Sequence, residues 1–211
     1  MLFSLLQSPI LLIPVMAAII VAFTVHEFSH ALAAELLGDE TPKNLGRLTL
    51  NPMSHVHWLG FVLLLVAGFG WGKPVPFNPN RLKNAKWGSA IIGMAGPFSN
   101  LVMAIISVLA ITILNNTIGI SPDSLLAVFL VFLYQFNMIL MIFNLIPVPP
   151  LDGSKLLFAL VPDKYAGFKQ SLATNGPMIL IMLIILDTFL PVSIFGTLFS
   201  FILGGVNKFL F

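Results

Sequence analysis

Cysteine is absent and charge is scarce: ten Lys and Arg and eight Asp and Glu make up 9% of 211 residues. The first absence removes disulfides and thiolate metal sites. The second excludes an ordinary soluble domain, in which about a quarter of residues are charged. The basic residues form no dense run, so with a net charge of only +2 no nucleic-acid surface is expected. Internal repeats and low-complexity tracts are missing too, and no stretch is polar enough to make a separate soluble domain. What is abundant is apolar: 58% of residues are hydrophobic. One soluble core cannot hide that much apolar surface, so most of it should face lipid. Residues 1–211 are therefore read as a single membrane-embedded domain. Its start, Met1-Leu2-Phe3-Ser4-Leu5, has no Lys or Arg ahead of the apolar run. A cleaved signal peptide has a basic start, so an uncleaved anchor is expected.

The long apolar runs set the architecture. Residues 8–37, 87–114, 124–146, 172–190 and 192–209 are each apolar enough to span a bilayer at ~1.5 Å rise per residue. The last two form a C-terminal hairpin over about 170–210, with Pro191 at its turn. Residues 58–70 are apolar but short of the roughly 20 needed for a straight span, which suits a re-entrant piece. Trp71-Gly72-Lys73-Pro74-Val75-Pro76-Phe77-Asn78 is too rich in Pro and Gly for a helix. Leu45-Gly46-Arg47-Leu48-Thr49-Leu50, bounded by Gly and Asn-Pro, reads as a short strand. The expected fold is a polytopic α-helical membrane protein with about five transmembrane helices and a re-entrant segment.

Lys and Arg give the orientation. If residues 58–70 do not cross, Lys43, Arg47, Lys73, Arg81, Lys83 and Lys86 share a face with Lys155, Lys164, Lys169 and Lys208, whereas the turns at 115–123 and 187–193 carry no basic residue. That face is the cytosolic one, with the N-terminus outside. If residues 58–70 do cross, the basic clusters are split.

Chemistry concentrates in His26-Glu27-Phe28-Ser29-His30, near the end of the first apolar run. On a helix, positions i and i+4 share a face, so His26 and His30 can offer two imidazoles to one metal ion, and Glu27 can take a proton from its water. Such a site needs a third protein ligand. Glu35, Asp123, Asp152, Asp163 and Asp187 are the acids at or near membrane depth. Asp152 stands out, because Pro147, Pro149 and Pro150 before it break the helix and expose carbonyls, tolerable in lipid only around a protein-lined cavity. Two His and one carboxylate suit zinc, and also iron or manganese. Asn144, Gly96 and Asn100 have plain helix-packing and interhelical hydrogen-bonding readings beside any functional one. His55 and His57 read as interfacial, and Trp58, Trp71 and Trp87 as interfacial anchors. A metal or proton transporter using His26, Glu27, His30 and Asp152 as a relay is a rival reading, but the two related halves many transporters show are not visible. A catalytically dead binding relative is a third, and the intact Glu27 argues against it.

The pairing of His26-Glu27-x-x-His30 with Asn144-x-x-Pro147-x-x-Pro150-x-Asp152-Gly153 resembles the site-2 proteases, intramembrane zinc metalloproteases of the M50 type. Gly96-Pro97-Phe98-Ser99-Asn100 is similar to the family's third, weaker motif, and Asn51-Pro52 with Gly72-x-Pro74-Val75-Pro76 to its short prokaryotic branch without a PDZ domain. The resemblance covers about residues 20–160, within a catalytic core of about 8–160. It implies one zinc ion per chain held by His26, His30 and Asp152, with Glu27 as general base. It implies Asn144 on the substrate side, with Gly96 and Asn100 in the same group. It also implies a small membrane-dipping β-sheet from residues 45–50 and 73–77 that takes substrate by edge pairing. The activity implied is that of a multi-pass zinc metalloendopeptidase of the cell membrane, cutting membrane-spanning protein substrates within the lipid bilayer towards its cytosolic side. Regulation by an inserted PDZ or nucleotide-sensing module is not expected.

Overall fold

The computed structural model describes residues 9–67, 70, 72–190, 193, 196–197 and 200. Seven α-helices follow in order among them: α1 (Pro9–Leu36), α2 (Thr41–Asn44), α3 (Trp58–Ala67), α4 (Ala85–Ile118), α5 (Leu125–Asn144), α6 (Gly153–Leu160) and α7 (Ala166–Phe189). Four stretches are long and apolar enough to cross a membrane: Ile10–Leu36, Ala85–Ile118, Leu125–Asn144 and Asp163–Asp187. This is a membrane protein, with apolar side chains such as Ile105, Leu109 and Ile113 facing outward along α4.

The helix limits follow local chemistry. Asn84 caps α4 by accepting from Trp87 N at 3.1 Å, and Ser124 caps α5 by accepting from Ala127 N at 3.2 Å. Gly119 ends α4 in the left-handed conformation, at φ 60°, where its N–H reaches the Asn115 carbonyl. Asp152 stands at the N-cap of α6 yet makes no capping bond. Its carboxylate is used elsewhere.

Helices α1, α4 and α5 pack on one another as the central unit, and α6 lies against α4. Small residues bring them close. Ala18 and Ala22 of α1 are fully buried against Leu133 of α5. A Cβ at Gly93 of α4 would meet Lys155 Cβ at 3.0 Å and the Asp152 carbonyl at 3.1 Å, so the glycine eases the close approach of α6 there. Ala34 at the end of α1 clusters with Leu82 and Ile92 at the start of α4. The chain between them therefore leaves and returns to the same end of α1. Helix α3, ten residues long, lies in that excursion and is about 15 Å in length, half of a hydrocarbon core.

One expectation changes. The small β-sheet is not formed: no strand occurs among the described residues. Gly46, at φ 67°, turns the first candidate strand, and Asn51 accepts from Met53 N to start a 3-10 turn at Pro52–Ser54. Residues 72–78 form neither helix nor strand, and Pro74 and Pro76 have no N–H to donate to a ladder. The Lys73 and Pro74 carbonyls accept from the Arg47 side chain instead of a neighbouring strand. Four candidate spans are described. The expected last one, at 192–209, falls largely outside the described residues. Its partner starts earlier than the sequence suggested, at Ala166, and carries Pro177 inside the helix.

Candidate metal centre

His26 and His30 lie one turn apart on α1, and their Nε2 atoms are 3.0 Å from each other. Asp152 Oδ2 completes a triangle, 3.2 Å from His26 Nε2 and 3.1 Å from His30 Nε2. All three residues are buried. They form the one cluster of three or more potential ligands among the described residues.

The remaining ring nitrogens fix the tautomers. His30 Nδ1 is 2.6 Å from the Ile92 carbonyl, which can only accept, so Nδ1 carries the proton and Nε2 offers a lone pair. His26 Nδ1 is 2.6 Å from Asn100 Oδ1 and donates to it in the same way. With both rings neutral, two lone pairs and a carboxylate oxygen converge on one point. Asp152 Oδ2 is buried without a hydrogen-bond partner. Such an atom is costly to leave unmet. A cation at the centre of the triangle satisfies all three donors. Tetrahedral zinc, with bonds of ~2.0–2.1 Å, needs donor–donor edges of about 3.3 Å. The observed edges are close to that, and the donor set fits the ion.

Glu27 follows His26 on α1 and is buried at 8% exposure. Its carboxylate acts electrostatically on His26 and on the buried guanidinium of Arg47. Lys155 Nζ holds Asp152 Oδ1 at 2.7 Å, leaving Oδ2 for the histidines. Gly96 of α4 faces the imidazoles: a Cβ there would sit 2.5 Å from both His26 Cε1 and His30 Nε2.

His26, Glu27, His30 and Asp152, singled out in the sequence, gather here. Gly96 and Asn100, placed there in a substrate-side group, touch the two histidines. Asn144 lies at the end of α5, where its Nδ2 donates to the Leu140 carbonyl at 3.0 Å.

Sequence reasoning passed over Arg47, Lys155 and Asn137 as parts of the site. Arg47 donates to the carbonyls of Ser54, Lys73 and Pro74, the last at 2.7 Å. It thereby anchors segment 72–78. That segment starts against the Phe23 ring, one turn before His26, and Asn78 N donates to Asp39 at 2.6 Å. Phe77 lies beneath Lys155, whose Nζ is 5.8 Å from the ring centre. The segment therefore runs between side chains that neighbour the triad, Phe23 at one end and Lys155 at the other. A lone arginine between glycine and a β-like run gives no sequence signal for this. Lys155 does carry one, being three residues after Asp152 on a helix.

Residues 110–185 match the sequence profile of Peptidase family M50. The chain is 41% identical over 165 residues to "Putative zinc metalloprotease YwhC" of Bacillus subtilis, covering 74% of each chain. It is 30% identical over 204 residues to "Putative zinc metalloprotease Rip2" of Mycobacterium tuberculosis, covering 92% of this chain and 74% of the relative. A Mycolicibacterium smegmatis protein of the same name is 31% identical over 174 residues, covering 73% of this chain and 63% of the relative. No solved structure matches.

Proposed function

Given that the chain belongs to peptidase family M50 and is a site-2-type zinc metalloprotease, we propose that His26, His30 and Asp152 hold its zinc and Glu27 is its general base. The observation that carries the assignment is the buried triangle of two imidazole lone pairs and one orphaned carboxylate oxygen. Held by these three residues, zinc would supply Lewis acidity for a water and for a peptide carbonyl. Glu27 takes the proton of the attacking water and passes it to the leaving amine. Lys155 keeps Asp152 in one rotamer. Asn144 sits just ahead of the turn that delivers Asp152 and is placed to meet the substrate backbone.

The substrates are membrane-embedded protein segments. A helix hides its carbonyls in its own hydrogen bonds, so the substrate must unwind before cleavage. Segment 72–78, running between neighbours of the triad, offers it a backbone partner. Helix α3 is then a re-entrant element. Support comes from its length and from the packing of Ala34 against Leu82 and Ile92, which returns the chain to one side. Lys86 reaches the Val161 carbonyl at 3.5 Å and Asp163 at 3.6 Å, joining the two basic loops at one end. By the bias of Lys and Arg that end is cytosolic, and the N-terminus lies outside.

The test uses purified protein in detergent with a single-span substrate. Wild type is expected to bind one zinc and to cleave. Glu27→Gln is expected to keep the zinc and lose cleavage. Cleavage that survives Glu27→Gln, or wild type that takes up no zinc, overturns the reading.

A further inference from the structure

Three buried amide and imidazole groups form a directed chain that no motif announces. It starts at a backbone carbonyl on α5. Asn137 Nδ2 donates to Leu133 O at 2.7 Å, and since that carbonyl can only accept, the orientation of the Asn137 amide is set. Its Oδ1 must then face Asn100, whose Nδ2 donates to it at 2.7 Å. Asn100 therefore turns its Oδ1 to His26, which meets it through Nδ1 at 2.6 Å. Each link dictates the next. The end of the chain is the His26 Nε2 lone pair, aimed into the triangle.

We propose that Asn137 is a positioning residue for the metal centre: by orienting the Asn100 amide, it decides which ring nitrogen of His26 is free. The inference rests on the reading above in which His26 is a metal ligand. A flipped Asn100 would offer an N–H to His26 Nδ1 and force the proton onto Nε2, where it blocks coordination. The only other acceptor near Asn100 Nδ2 among the described residues is Ala22 O, at 3.3 Å and already in the α1 ladder, so it is the weaker guide. Both asparagines are fully buried. Amides in that position serve as interhelical links, and links of this kind also tune ligands they touch.

The experiment has two readouts on the detergent-purified protein. The first is the tautomer of His26 in the zinc-free protein at alkaline pH, by nitrogen NMR with labelled histidine. The chain has only four histidines, so each can be assigned by substitution. The second is zinc affinity by chelator competition. Wild type should show the Nδ1–H tautomer. Asn137→Leu should shift it towards Nε2–H and weaken zinc by about 10–100-fold. Asn137→Asp should stay within a few-fold of wild type, since a buried carboxyl holds its proton and mimics the amide, donating to Leu133 O and accepting from Asn100.

A residue that merely fills the core predicts the reverse order, because leucine suits an apolar span and aspartate does not. In an Asn100→Leu background Asn137 has no amide through which to reach His26. Asn137→Leu should then have no further effect on zinc, giving a non-additive cycle. An Asn137→Leu protein with unchanged tautomer and zinc affinity overturns the proposal, as does an additive cycle. The tautomer is read without metal, so it stands or falls separately from the protease assignment. Loss of the tautomer effect with zinc and cleavage intact removes only Asn137's role.

Discussion

Lys155 and Asp152 lie three residues apart, and the lysine ammonium takes one carboxylate oxygen and leaves the other to the histidines. The division keeps Oδ2 on the metal side. Lys155→Met removes the partner but keeps the stem that packs by Gly93. The carboxylate is then free to turn, and zinc affinity should fall about tenfold. Stability should fall as well, because the buried Asp152 carboxylate loses a charge partner. Chelator competition reads the first effect and thermal melting the second. Unaltered zinc affinity would show that the Lys155 contact does not hold Asp152 in place.

Gly96 stands where any side chain would enter the imidazoles. Gly96→Ala must push the rings or the α4 backbone aside. Displacing catalytic groups by even ~1 Å can cost about 100-fold in rate, and a loss of at least that size is expected here. Gly167, near the start of α7, has open space where a Cβ would stand, with nothing within 4 Å. Gly167→Ala should leave cleavage unchanged and stabilise the helix by about 0.5–1 kcal/mol. Similar cleavage by the two variants would refute the close-approach argument.

The proposed ligands were legible in the sequence because their chemistry is local. His26 and His30 are four apart on an evident helix, and Asp152 follows a proline cluster that no lipid-facing helix tolerates. The first three spans were legible within a few residues, since apolar length needs no tertiary context. The sheet misled for a physical reason: the run around Arg47 is bounded like a strand, but Arg47 turns inward and takes the carbonyls a ladder would use. Asn137 was invisible for another reason. One amide in an apolar helix has many possible partners, and only the fold places it 2.7 Å from Asn100.

Asp39 ties the end of α1 to segment 72–78. It is fully buried and accepts from Thr41 Oγ1 at 2.5 Å, Thr41 N at 3.0 Å and Asn78 N at 2.6 Å. Burial pushes its carboxyl up, but these bonds and the Arg81 charge outweigh that and hold it below the ordinary carboxylate value. A depressed folded-state value means stabilisation that is present above the unfolded value and lost as pH falls through the folded one. Asp39→Asn should therefore destabilise by about 2 kcal/mol at pH 7. The gap to wild type should close as pH drops below about 4. Melting curves at both pH values check this; a gap that persists in acid would contradict it.

Arg47 offers the sharpest separation of substrate handling from metal chemistry. It touches none of the three proposed ligands, yet its fork holds the carbonyls of Ser54, Lys73 and Pro74 and keeps residues 72–78 in place. A lysine keeps the charge but cannot span three acceptors in that geometry. Arg47→Lys should keep full zinc occupancy and lose about tenfold in kcat/KM on a membrane-spanning substrate, equivalent to about 1.4 kcal/mol. A short, already unfolded peptide needs less help from a backbone partner, so its cleavage should fall less. If both substrates decline equally, Arg47 serves Glu27, whose charge it faces, and segment 72–78 is not where the substrate lies.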